Sequence, residues 1–507
     1  MLQDDTSNNK RIAKNTFFLY VRTFVILLVT LYTSRIVLEA LGVEDYGIYN
    51  VVGGFVAMFA LLSGALSNAI SRYITIELGR GDIKSLKSVF STSIEVQTIL
   101  AIVIVVIAEL VGVWFLNVKM NVPAERMQAA NWVFQCSLLT FAINLISIPY
   151  NACIIAHEQM GTFAYISVLE VLLKLGSVLF LFVFGFDRLI VYAVLLACIA
   201  ILIRLIYGFY CKHHFEECSY HYTFDKKLIR EMTALASWNI LGSGGAILNS
   251  HGVNLLMNLF FGVTVNAARG IAEQVNNAVT QFVNSFTTAV NPQITKSYAK
   301  EEKDYTFKLV LMSSKYSYFL MLILAVPIIA ETPLILQLWL KIVPDYTVLF
   351  VRLTLIASLI ATLSIPLYTL ALATGDIKKY QIIIGSLSLF CFFVTYVCYK
   401  LGASVESAYF VFILTQIAIL FARSKILSDL TGLNMSVFFS EVVVKALVVS
   451  LIIFIVTYIA LVVLPEQTFA NAMIIIPISA LASIVIILFL GLKKSERNHL
   501  LSMIKKK

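Results

Sequence analysis

The chain has 507 residues, of which 60% are hydrophobic and only 13% charged, with a formal net charge of +9. An ordinary globular protein is about 45–50% apolar and about 25% charged. A mean hydropathy of +0.89 therefore excludes a disordered chain and a water-soluble multidomain enzyme. It implies an all-α polytopic membrane protein.

Residues 1–14 are polar and basic, and the apolar run that follows is too long for a signal-peptide core, so no cleavable leader is expected. A bilayer span needs roughly 20 apolar residues. That ruler predicts about fourteen transmembrane helices: 15–40, 47–72, 86–116, 127–152, 161–186, 188–210, 232–260, 263–291, 306–331, 346–372, 380–400, 404–427, 441–464 and 469–491. Pro327, Pro333 and Pro344 blur the ends around the ninth and tenth.

Alternate connections are basic: Lys10, Arg11 and Lys14; Arg80, Lys84 and Lys87; Lys212, Lys226, Lys227 and Arg230; Lys296, Lys300 and Lys303; Lys378 and Lys379; Arg423 and Lys425; Lys505 to Lys507. The other set is acidic or bare, as at Glu44–Asp45, the hairpin at Gly262, and Glu466. The positive-inside bias puts both termini in the cytoplasm. Because the basic residues punctuate apolar runs, no nucleic-acid partner is expected. No connection is long enough to carry an extracytoplasmic catalytic domain, so the chain reads as a non-enzyme without a cofactor.

The chain also repeats itself. Gly42-Val43 aligns with Gly262-Val263, and Ala69-Ile70 and Ile74-Thr75 align with Ala289-Val290 and Ile294-Thr295, all offset by 220 residues. Ser147-Ile148-Pro149 aligns with Ser364-Ile365-Pro366 at an offset of 217. Six helices per copy is an even number, so the halves run parallel, with substrate expected between them. The predicted organisation is an N-terminal lobe (1–215), a cytoplasmic connector (216–230), a C-terminal lobe (231–430), and two extra helices with a basic tail (431–507).

Polar residues inside spans point to the site. In the eighth span Asn266, Arg269, Glu273, Asn277, Thr280, Asn284, Thr287 and Asn291 recur every three or four residues as one helical stripe. Such a stripe faces either a hydrogen-bonded neighbour or water, and its length and its arginine favour a wet cavity. Buried cations need a partner or water. Glu170–Lys174 and Arg269–Glu273 are i,i+4 pairs able to neutralise themselves. Arg204, Lys315, Arg352 and Lys445 lie near span ends and read as snorkelling side chains. Arg22 has no local partner and lies roughly 12 Å beyond Lys14 by helical rise. It is the first choice for a substrate contact, followed by Arg35.

Two further clusters are weighed and set aside. Cys211, His213, His214, Cys218 and His221 crowd the connector, but their spacing matches no zinc-finger pattern, so no metal is expected. Gly242-Ser243-Gly244-Gly245 lacks the Lys-Ser/Thr of a phosphate loop and reads as a packing or bending element.

Leu31-Tyr32-Thr33-Ser34-Arg35-Ile36-Val37-Leu38, then Leu41-Gly42-Val43-Glu44-Asp45-Tyr46-Gly47-Ile48-Tyr49-Asn50, and the exit at 72–82 resemble the opening of bacterial polysaccharide flippases. These are the O-antigen and capsule repeat-unit translocators of the multidrug/oligosaccharidyl-lipid/polysaccharide (MOP) exporter superfamily. The resemblance is specific over 10–90 and collinear to about 430. It implies alternating access between two six-helix lobes in the bacterial inner membrane. The cargo would be an undecaprenyl-diphosphate-linked oligosaccharide destined for lipopolysaccharide or capsule. It further implies that Arg22, Arg35, Arg269 and Arg72 hold the diphosphate. Asn266, Glu273, Asn277, Thr280 and Asn284 would then line the cavity around the sugars.

Glu95, Glu170 and Lys174 are candidates for ion coupling by their depth. The implied partners are the lipid-linked oligosaccharide, membrane lipids and the polysaccharide polymerase machinery. Rival readings are a cation-coupled multidrug exporter, disfavoured by the lack of a carboxylate well inside the first or seventh span, and a lipid II flippase, which the chain resembles in span count but not in motif. A membrane-embedded glycosyltransferase fits least.

Overall fold

The computed structural model describes residues 2–59, 70, 73–74, 77–78, 82–157, 159–182, 186–221, 245, 248–375, 378–464, 469–494 and 496–497. Side chains are described from Arg22 onward, except at 250, 288, 289, 292, 296 and 299. No strand occurs among the described residues. Eleven helices there are long and apolar enough to cross a bilayer.

That number is a count over the described residues alone. The first expected span and the described start of the second run as one helix, α1 (Leu2–Ala57), through a bend at Gly42. The seventh is described mainly from Leu248 through α6 (Val253–Phe261). The eighth, α7 (Val263–Ala299), is a 37-residue helix, but it is too polar to count as a span by hydropathy. Gly42 (φ 78°, ψ 174°) and Gly262 (φ 84°, ψ −175°), aligned by the repeat, share one backbone conformation. Only glycine enters that region without strain.

The helices pack into two compact units, Met1–Ala267 and Ala268–Lys507. In the first, α2 (Ile83–Val118) begins at Asp82, whose carboxylate accepts hydrogen bonds from the Lys84 and Ser85 amides. Next come α3 (Met127–Ala156), α4 (Met160–Phe180) and α5 (Arg188–His214). α5 lies along α3, and α1 along α4.

Large apolar side chains on these helices are outward and bare, as at Leu110 (74% exposed) and Phe209 (70%), a surface that suits acyl chains rather than water. Inside, one core gathers Ile48, Val51, Phe134 and Ala193, and a second gathers Phe90, Cys153, Ile203 and Cys211. At one end Arg126 bridges Asp45 (2.6 Å) and Asp187 (2.5 Å), tying the bend of α1 to the starts of α3 and α5. The Arg126 hydrogen bond holds the Asp187 carboxyl below its ordinary range.

Two close contacts fix the same end. A Cβ on Gly47 would sit 2.1 Å from the Val263 carbonyl oxygen, so α1 meets the first residue of α7 backbone to backbone. Asn266 donates to the Asn254 carbonyl (2.7 Å) and side chain (2.8 Å). Asn258 donates to Asn266 (3.1 Å) and accepts from the Asn121 amide (3.0 Å).

The second unit contains α8 (Lys303–Ala330), α9 (Thr332–Trp339), α10 (Thr347–Thr362), α11 (Ile365–Thr374), α12 (Lys378–Lys400), α13 (Ser407–Thr431), α14 (Met435–Val463) and α15 (Phe469–Gly491). α8 and the α10–α11 segment are 61% buried across their apolar windows and form its centre. α14 at 28% and α15 at 22% are peripheral. α14 and α15 fasten to α8, where Tyr318 and Ser450 share a 2.7 Å hydrogen bond. Lys315, expected to snorkel, is instead 4% exposed and donates to Glu496 at 2.6 and 2.9 Å.

Candidate functional site: arginines on aromatic faces

In the first unit Arg22 projects from α1 toward α4. Its guanidinium lies 4.6 Å over the Phe163 ring, and its Nε is buried without a hydrogen-bond partner. Tyr207 of α5 and Glu170 of α4 are within electrostatic reach. Glu170 itself is occupied by Lys174 at 2.6 Å, so the acid is shared between two cations. A guanidinium on a ring face is attracted to the ring quadrupole by roughly 0.5–2 kcal/mol.

Arg35 lies partly buried on the same helix, about 20 Å from Arg22 by helical rise; the fold does not bring the two together. Arg72 lies outside the described residues. Glu95 on α2 is 9% exposed and accepts a hydrogen bond from Tyr220 (3.3 Å), whereas Glu170 faces Lys174. These two acids sit in separate environments.

In the second unit Arg269 is 9% exposed, 5.8 Å over the Tyr409 ring, with Glu273 at 3.6 Å. The polar stripe of α7 divides by face. Asn266 is wholly buried in the asparagine cluster of the first unit, and its amide and carbonyl are spent there. Asn276 accepts from Ser358 (2.6 Å) and Asn291 from Thr369 (2.9 Å), fastening α7 to α10 and α11. Glu273, partly exposed, and Asn277 and Asn284, exposed, share an open face. Thr280, between them, bonds back to the Asn276 carbonyl (2.8 Å). The stripe therefore combines both sequence readings: a hydrogen-bonded seam on one side and an accessible polar face on the other.

The sequence profile of the polysaccharide biosynthesis protein family matches residues 12–298. The chain belongs to this family. No curated protein matches it. Its fold is similar to that of the lipid II flippase MurJ in an inward closed conformation, at 13% identity and a TM-score of 0.66, covering 93% of this chain and 98% of that one. It is also similar to an inward-facing multidrug resistance MATE transporter of the MOP superfamily (14% identity, TM-score 0.63, 82% and 99% covered). A Pyrococcus furiosus MOP transporter, described as having a binding pocket of reversed polarity, matches at 14% identity and a TM-score of 0.60 (85% and 96% covered). These likenesses establish the fold, that of a multi-pass membrane protein.

This family member carries a second arginine–aromatic motif that the spacing of charges does not reveal. Arg204 lies 3.8 Å over the Tyr150 ring. Arg423 lies 6.0 Å over Tyr368 and 5.9 Å over Tyr380, and it donates to the Ser364 hydroxyl (2.8 Å) and carbonyl (3.2 Å). Arg204 and Arg423 are offset by 219 residues, and Tyr150 and Tyr368 by 218. The tyrosines follow the two Ser-Ile-Pro copies within two residues, whereas the arginines lie more than 50 residues further on.

Proposed function

We propose that the protein moves an undecaprenyl-diphosphate-linked oligosaccharide from the cytoplasmic to the outer leaflet of the bacterial inner membrane, with both termini cytoplasmic. The proposed lobes are residues 1–215 and 231–430, joined by 216–230, with 431–507 an appendix. One observation carries the reading: in each unit a deeply placed guanidinium rests on an aromatic ring, Arg22 on Phe163 and Arg269 on Tyr409, the latter with Glu273 at 3.6 Å. Such groups suit a diphosphate, and the open α7 face with Glu273, Asn277, Thr280 and Asn284 suits sugar hydroxyls. Arg35 and Arg72 are proposed as further phosphate contacts, whereas Asn266, being satisfied within the protein, is assigned to packing. A diphosphate carries about two negative charges, and each charge crossing the bilayer changes energy by about 2.3 kcal/mol per 100 mV. An inside-negative potential thus drives the headgroup outward, and Glu170–Lys174 or Glu95 is the proposed place for any coupled ion.

The test is flipping in proteoliposomes. A fluorescent undecaprenyl-diphosphate oligosaccharide reconstituted with the protein is expected to reach the opposite leaflet, read by lectin accessibility, faster when a potential is imposed. Absence of flipping above empty liposomes overturns the proposal. A second reading, lipid II transport, is favoured by the 93% coverage of this chain by that flippase fold; rescue of peptidoglycan precursor transport in cells selects it.

A further inference from the structure

The end of α5 and the turn after it build a cluster of sulfur and carboxylate. Phe215 breaks the helix with extended angles (φ −131°, ψ 119°). The Cys218 amide then bonds back to the Phe215 carbonyl (3.2 Å), which tucks residues 216–218 under the last turn of α3. Cys153 and Cys211 are wholly buried there, Cys218 is 5% exposed and Glu217 4%. The Cys218 thiol is within hydrogen-bonding contact of both Cys153 and Cys211. One ligand atom each from Cys153, Glu217 and Cys218 lies within 4.8 Å of the others. The His157 ring, stacked on Phe215 at 4.1 Å, donates to the Glu217 carboxylate at 2.6 Å.

The histidines that make this segment look like a ligand cluster in sequence are turned away. His213 and His214 bond to the Phe209 and Tyr210 carbonyls of their own helix, and His221 bonds to Ser219. The ligand that sequence spacing hides is Cys153, which α3 brings in from some 60 residues upstream.

We propose that Cys153, Cys211, Cys218 and Glu217 bind one zinc ion, with His157 orienting the carboxylate from outside. A carboxylate buried against three sulfur atoms is costly unless a cation or strong donors compensate it. Three thiolates and an oxygen form a tetrahedral set that zinc favours. Tetrahedral zinc, with bonds of about 2.3 Å to sulfur and about 2.0–2.2 Å to oxygen, would draw Cys153, Glu217 and Cys218 together from within 4.8 Å, and Cys211, whose thiol here bonds to the Tyr150 carbonyl (3.6 Å), would turn to complete the set. Each thiol loses its proton to solvent as its sulfur bonds to the metal. A ligating carboxylate is ordinarily held by a further hydrogen bond, and His157 supplies one to Glu217. Arg204, within electrostatic reach of Cys211, offsets part of the remaining negative charge. The ion would pin residues 215–221 to the end of α3.

The full chain, purified in detergent without a polyhistidine tag from zinc-supplemented cells, is expected to carry about one zinc ion per chain by elemental mass spectrometry. X-ray absorption at the zinc edge is expected to read three sulfur ligands and one lighter one. Zinc should be lost in Cys153→Ser and Cys218→Ser and kept in Cys198→Ser and in the paired His213→Ala/His214→Ala variant. The absorption measurement needs only the wild-type chain, so it stands if a serine variant fails to fold. Metal-free protein with intact thiols, a Cys211–Cys218 disulfide by peptide mass spectrometry, or zinc bound by nitrogen and oxygen alone overturns the proposal.

Discussion

At the scale of single residues, Arg22 shows why charge alone under-describes a membrane-buried cation. A lysine there keeps the charge but loses the flat contact with Phe163 (4.6 Å) and the fork of donors that fits phosphate oxygens. Arg22→Ala is expected to lower oligosaccharide flipping at least tenfold, Arg22→Lys by an intermediate amount, and Arg269→Ala as strongly as Arg22→Ala, at unchanged membrane insertion. Proteoliposome assays on protein matched by quantity read the order; equal activity of all three with wild type rejects the assignment. Arg22 and Arg269 were legible in the sequence because an arginine amid apolar residues is conspicuous. Phe163 and Tyr409 were not, because aromatic residues are expected throughout a membrane core and only the tertiary approach of α4 to α1, or of α13 to α7, makes them ring platforms.

At the scale of elements, the repeated Gly-Val pairs announce a shared backbone shape that side-chain patterns do not specify. Gly42→Ala and Gly262→Ala force a Cβ into φ 78° and φ 84° with ψ near 180°, a cost of about 1–3 kcal/mol each. Gly176→Ala, in a helix with nothing within 4 Å of the new Cβ, is expected to be neutral or stabilising by up to about 1 kcal/mol. Thermal unfolding in detergent separates the groups; a Gly42→Ala protein as stable as Gly176→Ala contradicts the strain argument. The helix boundaries were mostly readable from hydropathy, as with the tenth expected span and the α10–α11 segment. α7 shows the limit of that reading. Periodicity located its polar stripe, yet which asparagines are spent on neighbours depends on Ser358 and Thr369, residues some 80 positions away.

At the scale of the whole molecule, each unit is held by a few charge-assisted ties laid over broad apolar packing. The tie between Lys315 and Glu496 is deeply buried, at 4% and 11% side-chain exposure. Removing one member strands the other, a loss of about 3–5 kcal/mol, whereas replacing both with apolar residues is often neutral. Glu496→Ala is therefore expected to lower the detergent melting temperature clearly, and Lys315→Met with Glu496→Leu to restore most of it. Equal melting of the single and double variants contradicts the coupling. The sequence reading of Lys315 as a snorkelling side chain failed because its counter-charge lies 181 residues away, beyond any local pattern.

That separation also orders assembly in time. A ribosome has delivered α8 to the bilayer long before it translates Glu496, so the ammonium of Lys315 enters the membrane as an unmatched charge and waits through the synthesis of α9 to α15. Until Glu496 is in place, the Lys315 ammonium lacks the carboxylate that neutralises it in the folded chain.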